Sequence, residues 1–278
     1  MDGPNHNSAA DVSVAPPLAP GKPPVGAGIR LWHAVPDWVF RAAGATVFLG
    51  YLAVRAPVYF DNFMMSGAFF KTAAGEVWRI PWGRVLVDCT YLLIGLSFIF
   101  RSNPIMRPGR AREVCLPIIA AFWPFLPFII EAILRALSSP AIRLIAPETA
   151  TAYSRFIFDY RWTMTTFVIG TGLIVLGNLL DVWAYGTLFR SISIVAEARE
   201  LKVTGPYRLV RHPIYLGQIL AQAGVWLFYS TRHGVWIAFY LCFVAMQLYR
   251  SRIEDEVLER AFGPRYLDWK RRTLWFWK

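Results

Sequence analysis

Charged residues are scarce in this sequence. Only 17% of its 278 residues are charged, whereas about a quarter is usual in a soluble globular protein. In addition, 56% of the residues are hydrophobic, and long apolar runs recur regularly along the chain. A soluble helical core does not need runs of this length, so we interpret the sequence as that of an integral membrane protein.

Cysteine is also rare. Cys89, Cys115 and Cys242 each lie in an apolar run, and none stands at the spacing of paired metal ligands. An odd number of cysteines does not build a disulfide framework. The sequence therefore shows neither a zinc signature nor a disulfide scaffold, and we expect the three to behave as small buried hydrophobic residues. A soluble-type dinucleotide fingerprint after a strand is missing as well.

Basic residues outnumber acidic residues. The sequence has 29 Lys and Arg but 18 Asp and Glu, so the net charge is +11. In a soluble protein this excess would indicate a nucleic-acid partner. Here the cations cluster between apolar runs, so orientation in a membrane explains them and no nucleic-acid partner is predicted. With a cytoplasmic N-terminus, Lys and Arg are about twice as frequent on the cytoplasmic side. We therefore place both termini in the cytoplasm; in a bacterium the membrane would be the cytoplasmic (inner) membrane.

Six apolar stretches reach or approach the roughly 20 residues that a spanning helix needs. The last two are short and joined by a tight turn, which predicts a tilted helical hairpin. Pro117, Pro124 and Pro127 predict kinks in the third stretch, and GTG (170–172) with Gly177 predicts close helix packing in the fourth. The fold class is thus an all-α integral membrane protein with about six transmembrane helices. The stretches are 38–54, 85–100, 114–134, 163–186, 215–229 and 235–249.

The chain divides into three regions. Residues 1–30 are rich in Pro, Gly and Ala and predict a disordered tail; 31–162 hold the first three helices and their loops; and 163–278 form the core. After the sixth run, an apolar stripe predicts a cytoplasmic amphipathic helix that Gly263-Pro264 ends. Tyr266, Trp269 and the closing WFW are expected to anchor the chain in the membrane interface. The stripe consists of Ile253, Val257, Leu258, Ala261 and Phe262.

The segment GPYRLVRHPIYLG (205–217) precedes the fifth run. Pro213 disfavours the α conformation at His212 and suits a first helical turn. His212 and Tyr215 are therefore expected at a helix N-terminus, at the membrane surface, with Tyr207 turned back toward them by Gly205-Pro206. An interfacial anchor with snorkelling arginines remains an alternative interpretation.

The segment RSRIEDE (250–256) directly follows the sixth run. Arg250 and Glu254 are four residues apart and share a helix face, so they form at least an ordinary surface pair. At the bilayer boundary, however, acidic residues are costly unless they face a polar cavity. A Glu254-Asp255 pair that faces such a cavity would attract a cation.

Taken together, LKVTGPYRLVRHPIYLG, the hairpin and the pattern R-x-x-x-E-D-x-x-L-x-x-x-F-G-x-x-Y-x-x-W resemble the isoprenylcysteine carboxyl methyltransferase family. The wider group includes the phospholipid N-methyltransferases. The resemblance implies a membrane enzyme that binds S-adenosylmethionine in a pocket closed by the C-terminal segment, beside a lipid-facing tunnel. It assigns Arg250 to the substrate as the catalytic residue. The implied cofactor-binding residues are Arg199, Glu200, Leu201, Lys202, Tyr207, His212, Pro213, Ile214, Tyr215, Glu254 and Asp255.

The sequence departs from the family pattern at three places. Asp255 stands where the family often has a second glutamate, and Lys202 replaces an apolar residue, which is unfavourable beside a sulfonium unless its side chain turns away. The C-terminal TLWFWK lacks the Arg and Pro that relatives usually keep. The first three helices match no pattern, and substrate identity is expected to depend on them.

These observations predict an S-adenosylmethionine-dependent methyltransferase that acts on a lipophilic acceptor. A carboxylate acceptor needs no general base, and Arg250 would orient it by paired hydrogen bonds, whereas an amine acceptor must first lose a proton. One alternative is an NADPH-dependent membrane reductase of the sterol type. Another is a transporter or scaffold, although a transporter would be expected to show paired repeats or ionisable residues in mid-membrane.

Overall fold

The computed structural model describes residues 29–66, 82–126, 129–130, 133, 163–229 and 234–277. Within these ranges the chain is helical and contains no strand, and two isolated bridges, Met106–Ala198 and Val210–Leu274, join loops. The prediction of a helical protein is therefore confirmed. The helices are α1 Arg30–Ala34, α2 Asp37–Ser66, α3 Trp82–Phe100, α4 Arg112–Phe122, α5 Met164–Leu188, α6 Pro213–Tyr229, α7 Gly234–Phe262 and α8 Pro264–Arg272.

Among the described residues, two helices are long and apolar enough to cross a membrane, namely Asp37–Pro57 in α2 and Met164–Ser191, which contains α5. The apolar part of α3, Val85–Phe100, is shorter. Only 6% of the apolar window in α2 is buried, and so much exposed apolar surface fits lipid better than water. Membrane association is supported, while the other predicted spans stay predictions.

Most predicted helix positions agree with the structure. The runs 38–54, 85–100 and 163–186 correspond to α2, α3 and α5, and the fifth run begins two residues earlier than predicted, at Pro213. In the third run, α4 ends at Phe122 and a 3-10 turn follows at Trp123–Phe125, so Pro124 lies where the α-helix stops. The remainder of the third run lies largely outside the described residues. The predicted tail, 1–30, also lies outside them except for its last two residues.

Helix α7 corrects one prediction. The sixth apolar run and the amphipathic stretch after it form one continuous helix, Gly234–Phe262, because neither Gly nor Pro separates them. The predicted end is confirmed, since Gly263 has φ +52° and a new helix begins at Pro264. The apolar stripe faces protein rather than a lipid surface. It packs with Met106, Ala196 and Ala198, through Ile253, Val257 and Ala261.

The predicted close helix packing is confirmed at Gly177 and Gly170, which meet α6, but not at Gly172, which faces open space. A Cβ on Gly177 would lie 2.4 Å from the backbone nitrogen of Ala221 and 2.5 Å from the carbonyl oxygen of Gly217. A Cβ on Gly224 would lie 2.3 Å from the carbonyl oxygen of Gly170. The two backbones therefore touch, which only glycine allows.

Partly buried ion pairs join the N-terminal helices to each other and to α7. Arg101, just after α3, donates to Asp37 at the start of α2 over 2.8 Å. Arg260 of α7 donates to the fully buried Glu113 of α4 over 2.6 Å, and the other oxygen of Glu113 accepts from the Gly109 backbone. The first pair therefore joins α2 to the end of α3, and the second fixes α4 to α7.

The cysteine prediction is wrong. Cys89, Cys115 and Cys242 are all exposed on the protein surface. Helices as apolar as these carry hydrophobic residues on their outward faces as well as on their packed faces. An apolar neighbourhood in the sequence therefore did not indicate burial within the protein.

The packing of α5 against α6 predicts a difference between two glycines of the same helix. Gly177→Ala should lower the thermal unfolding temperature in detergent, because its methyl group meets backbone atoms that cannot yield, at a cost of about 1–3 kcal/mol. Gly172 faces open space, so Gly172→Ala should leave that temperature unchanged or raise it slightly. Equal effects of the two substitutions would contradict this packing.

Candidate functional site

A cavity lies at the mouth of α6, between the end of α5, the loop that follows it and the middle of α7. Three segments that are distant in the sequence converge there, namely 191–202, 207–215 and 250–258. The structure thus brings together ten of the residues that the motifs selected. These are Arg199, Glu200, Leu201, Lys202, Tyr207, His212, Ile214, Tyr215, Arg250 and Glu254.

Two selected residues, Pro213 and Asp255, are not among those that line the cavity. Conversely, several lining residues were not selected. Arg211 belonged to the RHP motif and Trp269 to the terminal pattern, so sequence signals for both existed. Tyr185, Ser191 and Glu197 had no such signal, because only the fold brings them to the cavity. The unselected lining residues include Tyr185, Ser191, Glu197, Arg211, Leu258 and Trp269.

The loop before α6 takes the predicted form. Gly205 has φ +58° and starts a 3-10 turn over Gly205–Arg208, which places the buried Tyr207 on the cavity wall. Helix α6 then begins at Pro213, and the carbonyl of His212 accepts from the Leu216 backbone over 3.1 Å. His212 therefore lies directly before the helix, as the proline indicated.

Asp255 is the centre of a buried hydrogen-bond network behind the cavity wall. His212 Nε2 donates to one carboxylate oxygen over 2.6 Å, and the Tyr266 hydroxyl donates to the same oxygen. Arg211 donates to the other oxygen over 2.9 Å and Trp277 over 3.0 Å. One carboxylate thus fixes the loop before α6, the helix α8 and the C-terminal segment to α7.

The network determines the charge of Asp255. Burial alone would raise its pKa, but the hydrogen bond and charge of His212, the Tyr266 hydroxyl and the charge of Arg211 together hold this pKa well below its usual range. Burial raises the pKa of Tyr266, and the neighbouring carboxylate raises it further. Asp255 is therefore ionised at neutral pH while Tyr266 stays a neutral donor.

Glu254, the preceding residue, faces the cavity instead. One of its carboxylate oxygens accepts from the Tyr215 hydroxyl and lies 3.8 Å from Nδ1 of His212. Its side chain keeps 31% of its surface exposed. Asp255 is saturated with donors, whereas Glu254 retains the capacity to accept hydrogen bonds from a bound molecule.

Arg250 lies on the cavity wall with 8% of its surface exposed. Its guanidinium donates to the carbonyl of Ile194 over 2.8 Å and lies 5.0 Å from the centroid of the Tyr215 ring. The expected surface pair with Glu254 is not among the ion pairs of the described residues. Arg250 therefore braces the cavity wall against the loop after α5.

Arg199 and Lys202 bring further cations to the same wall. Arg199 is buried and donates to Glu197 over 3.0 Å and to Asp37 over 3.3 Å, yet its Nη1 has no hydrogen-bond partner among the described residues. Lys202 pairs with Glu200 over 2.9 Å. The carboxylate of Glu200 therefore offsets the positive charge of Lys202, the residue that stands where the family pattern has an apolar one.

The C-terminal segment packs against the loop before α6 and against α7 despite its unusual sequence. Leu274 donates to the Leu209 carbonyl over 2.8 Å and accepts from the Arg211 backbone over 3.0 Å. Trp275 donates to Ser251 over 3.1 Å, and its ring contacts His212 edge-on at 5.0 Å. Segment 273–277, called the strap, therefore joins the loop before α6 to α7.

The expectation of interfacial anchors is wrong for Tyr266, which is completely buried. Trp269 also turns inward and donates to the Tyr207 carbonyl over 3.0 Å. Trp275 and Trp277 serve the network described above rather than a lipid surface. These four aromatic residues near the end of the chain thus contact the protein interior, and Trp269 also lines the cavity.

Comparison with protein families agrees with this geometry. Residues 165–265 match the family model described as phospholipid methyltransferase. The match spans α5, α6 and α7 and contains all three segments that form the cavity, while α1–α4 and the strap lie outside it. No individual curated protein matches the chain. The match over this region suggests a membrane methyltransferase.

The matched family model belongs to the isoprenylcysteine and phospholipid methyltransferase group. The family resemblance of the sequence motifs is therefore confirmed. The roles that the resemblance implied for single residues stay predictions.

The Asp255 network predicts a strong and pH-dependent effect of Asp255→Asn. Loss of the charge leaves Arg211 buried without its acid, so the free energy of unfolding should fall by about 3–5 kcal/mol at neutral pH. Because the folded pKa is lowered, the stabilisation is complete above about pH 4, the pKa of an unfolded aspartate, and is lost as the pH falls further. The difference between variant and wild type should shrink accordingly.

Unfolding followed in detergent between pH 7 and pH 3 measures this effect. Asp268→Asn is the control, because Asp268 is exposed on α8 and its loss should change stability little at any of these pH values. A wild type and an Asp255→Asn variant of equal stability at pH 7 would contradict the central position of this carboxylate.

Proposed function

We propose that the protein is an integral-membrane methyltransferase that uses S-adenosylmethionine to methylate a lipophilic acceptor from the cytoplasmic side. The observation that carries this proposal is the convergence of residues 191–202, 207–215 and 250–254 on one cavity at the mouth of α6. These are the segments to which the family resemblance assigns cofactor binding. The family match over the same region supports a methyl-transfer reaction.

The cavity fits the negative part of such a cofactor. S-adenosylmethionine carries a carboxylate, which requires hydrogen-bond donors. Nη1 of Arg199 and Nε of Arg211 are buried, belong to residues that line the cavity, and have no hydrogen-bond partner among the described residues. Unsatisfied buried donors are costly, so an anionic group at this wall would remove that cost.

Another part of the wall fits the positive and polar parts. Glu254 accepts from the Tyr215 hydroxyl, lies 3.8 Å from Nδ1 of His212 and is partly exposed, so it is suited to an amino or hydroxyl group. The buried rings of Tyr207 and Tyr215 lie close by, and aromatic faces favour a cation such as a sulfonium. Leu201, Ile214 and Leu258 supply apolar surface.

The bound cofactor supplies a methyl group on a positively charged sulfur, which is already activated for transfer. The protein must then position the acceptor and exclude water, because positioning is a large part of catalysis in such reactions. The hydrogen bonds of the strap to Leu209, Arg211 and Ser251 support this positioning, because they hold the loop before α6 against α7. The pairing of Lys202 with Glu200 limits repulsion of the sulfonium.

The sequence favoured a carboxylate acceptor held by Arg250. In the structure this guanidinium already donates to the Ile194 carbonyl and lies over the Tyr215 ring. Its remaining donors are available to an acceptor, but the arginine is primarily a brace of the wall. Carboxyl methylation therefore stays one form of the proposal, with Arg250 as the substrate-side residue.

The proposed membrane arrangement follows the sequence. Helices α6 and α7 form a hairpin whose open end carries the cavity, and the charged continuation of α7 leaves the membrane on the cytoplasmic side. The polar cofactor then enters from the cytoplasm and the lipophilic acceptor from the lipid, with membrane lipids around the apolar helices. Both termini lie in the cytoplasm in this arrangement.

Binding of S-adenosylhomocysteine, the demethylated cofactor, to purified protein in detergent tests the proposal. Wild type should bind it in calorimetric titrations. Glu254→Gln should weaken binding by roughly 10–100-fold, because a charge-assisted hydrogen bond is worth about 1.5–3 kcal/mol. His212→Ala removes a residue of the cavity wall. This variant should stay folded but lose binding completely.

Glu259→Gln provides the matched control, since Glu259 lies on the same helix with 46% of its side chain exposed and is not among the cavity-lining residues. Its affinity should equal that of wild type. Titration with NADPH runs in parallel. Binding of NADPH in place of S-adenosylhomocysteine would favour the reductase, and binding of neither would favour a transporter or scaffold.

A further inference from the structure

The strap turns alternate side chains in opposite directions. Thr273, Trp275 and Trp277 donate hydrogen bonds to α7 and α8. Between them, Leu274 and Phe276 keep 74% and 64% of their surfaces exposed. This alternation is that of an extended chain with one face against protein. The outward face of the strap is therefore apolar, and none of the described residues covers it.

A further exposed leucine lies next to the strap. The backbone nitrogen of Leu274 donates to the carbonyl of Leu209 over 2.8 Å, and the side chain of Leu209 is 61% exposed. Single exposed apolar residues are ordinary, but several on adjoining backbone segments form a patch that requires an explanation. Leu209, Leu274 and Phe276 are called the apolar patch below.

Cations border the apolar patch. Arg208 lies beside it in the loop before α6, and Arg271 and Arg272 end α8 directly before the strap. All three are exposed, and none forms an ion pair with another of the described residues. Asp268 is the one acid in the sequence of residues 263–277, against four cations. The surface around the patch is therefore positively charged.

The loop that carries Leu209 lies beside the end of the candidate membrane span of α5. A Cβ on Gly205 would lie 2.7 Å from Oγ1 of Thr187 and 3.4 Å from Nε1 of Trp183. The candidate span is Met164–Ser191, so both contacts lie near its end. Trp183 is 55% exposed, and tryptophan is enriched where membrane and water meet. These contacts place the loop at the level of the bilayer boundary.

The chemistry of this surface selects a lipid partner. Apolar side chains bordered by cations match the boundary where acyl chains meet phosphate groups, and anionic lipids attract basic residues held close to the membrane surface. A second copy of the same surface would bring arginines against arginines, which opposes association. An acidic soluble protein would suit the arginines, but the position beside the end of a span favours the bilayer.

We propose that the apolar patch docks into the cytoplasmic surface of the membrane and that Arg208, Arg271 and Arg272 bind the phosphate groups of anionic phospholipids. The inference rests on the membrane arrangement of the proposed function but not on methyl transfer. The inward face of the strap keeps its contacts with His212 and Asp255. Docking therefore attaches the network behind the cavity wall to the bilayer surface.

A spin label in place of Leu274 tests the proposal. Leu274→Cys is labelled in a chain whose exposed cysteines, Cys89, Cys115 and Cys242, are replaced by serine. The protein is placed in nanodiscs of phosphatidylcholine with or without phosphatidylglycerol. Collisions with a neutral nickel chelate report water, and collisions with oxygen report lipid. Added phosphatidylglycerol should lower the nickel collision rate at least about twofold and raise that of oxygen.

Three further labelled positions calibrate the measurement. Val47→Cys, in the apolar window of α2 where the side chain is 59% exposed, should report lipid in both kinds of nanodisc. Glu259→Cys, on the charged continuation of α7 with 46% of its side chain exposed, should report water in both. Phe276→Cys should behave as Leu274→Cys does, which shows that the result does not depend on replacing one leucine.

Arginine variants of the labelled protein separate charge from apolar contact. Arg271→Gln combined with Arg272→Gln should abolish the change that phosphatidylglycerol causes. Arg271→Lys combined with Arg272→Lys is the charge-matched control and should keep most of the change. High salt should also reduce the change, because it screens charges at the membrane surface.

Three outcomes would overturn the proposal. In the first, the Leu274 label meets nickel in anionic nanodiscs as often as the Glu259 label does. In the second, it meets neither probe, which would show that a protein covers the patch. In the third, the Val47 label meets water, and the membrane arrangement itself fails. S-adenosylhomocysteine takes no part in these measurements, so failure of the methyl-transfer proposal is a separate result.

Discussion

The buried carboxylate of Asp255 is the contact on which the geometry of the site depends. Its two oxygens accept hydrogen bonds from Arg211, His212, Tyr266 and Trp277. These donors belong to the loop before α6, to α8 and to the strap, so one side chain of α7 is bonded to all three segments. A charged acceptor with four donors is strongly favoured over a carboxylate left without them, so the three segments are held in one arrangement against α7.

The same contact explains why consecutive acidic residues have different tasks. Neighbouring residues on a helix point about 100° apart, so Glu254 and Asp255 cannot both face one cavity. Asp255 turns toward the protein and is saturated by its donors. Glu254 turns toward the cavity and keeps accepting capacity. A longer second acid would have to reorganise the donors around Asp255, so the shorter side chain suits this network, in which Arg211, His212 and Trp277 all approach closely.

The sequence predicted the local features well because local chemistry governs them. Pro213 set the start of α6, Gly263 set the end of α7, and the family motifs selected half of the residues that line the cavity. The contacts that it did not predict join distant segments. Nothing in the sequence pairs Asp37 with Arg199, or Trp277 with Asp255, since such contacts depend on three-dimensional packing. The continuity of α7 was missed because a change from apolar to amphipathic sequence does not itself end a helix.

The distribution of unsatisfied atoms gives the cavity a direction. On the loop side, Arg199 and Arg211 line the cavity, and each has a nitrogen with no hydrogen-bond partner among the described residues, while Glu254 of α7 contributes a partly exposed carboxylate. A ligand whose negative group meets the arginines and whose positive or donor group meets Glu254 therefore finds complementary groups, and the reverse orientation meets like charges. In the proposed function, this arrangement aligns a polar and a lipophilic molecule that enter from opposite sides. The proposal thereby explains why polar residues collect at the helix mouth, where the aqueous and lipid phases adjoin.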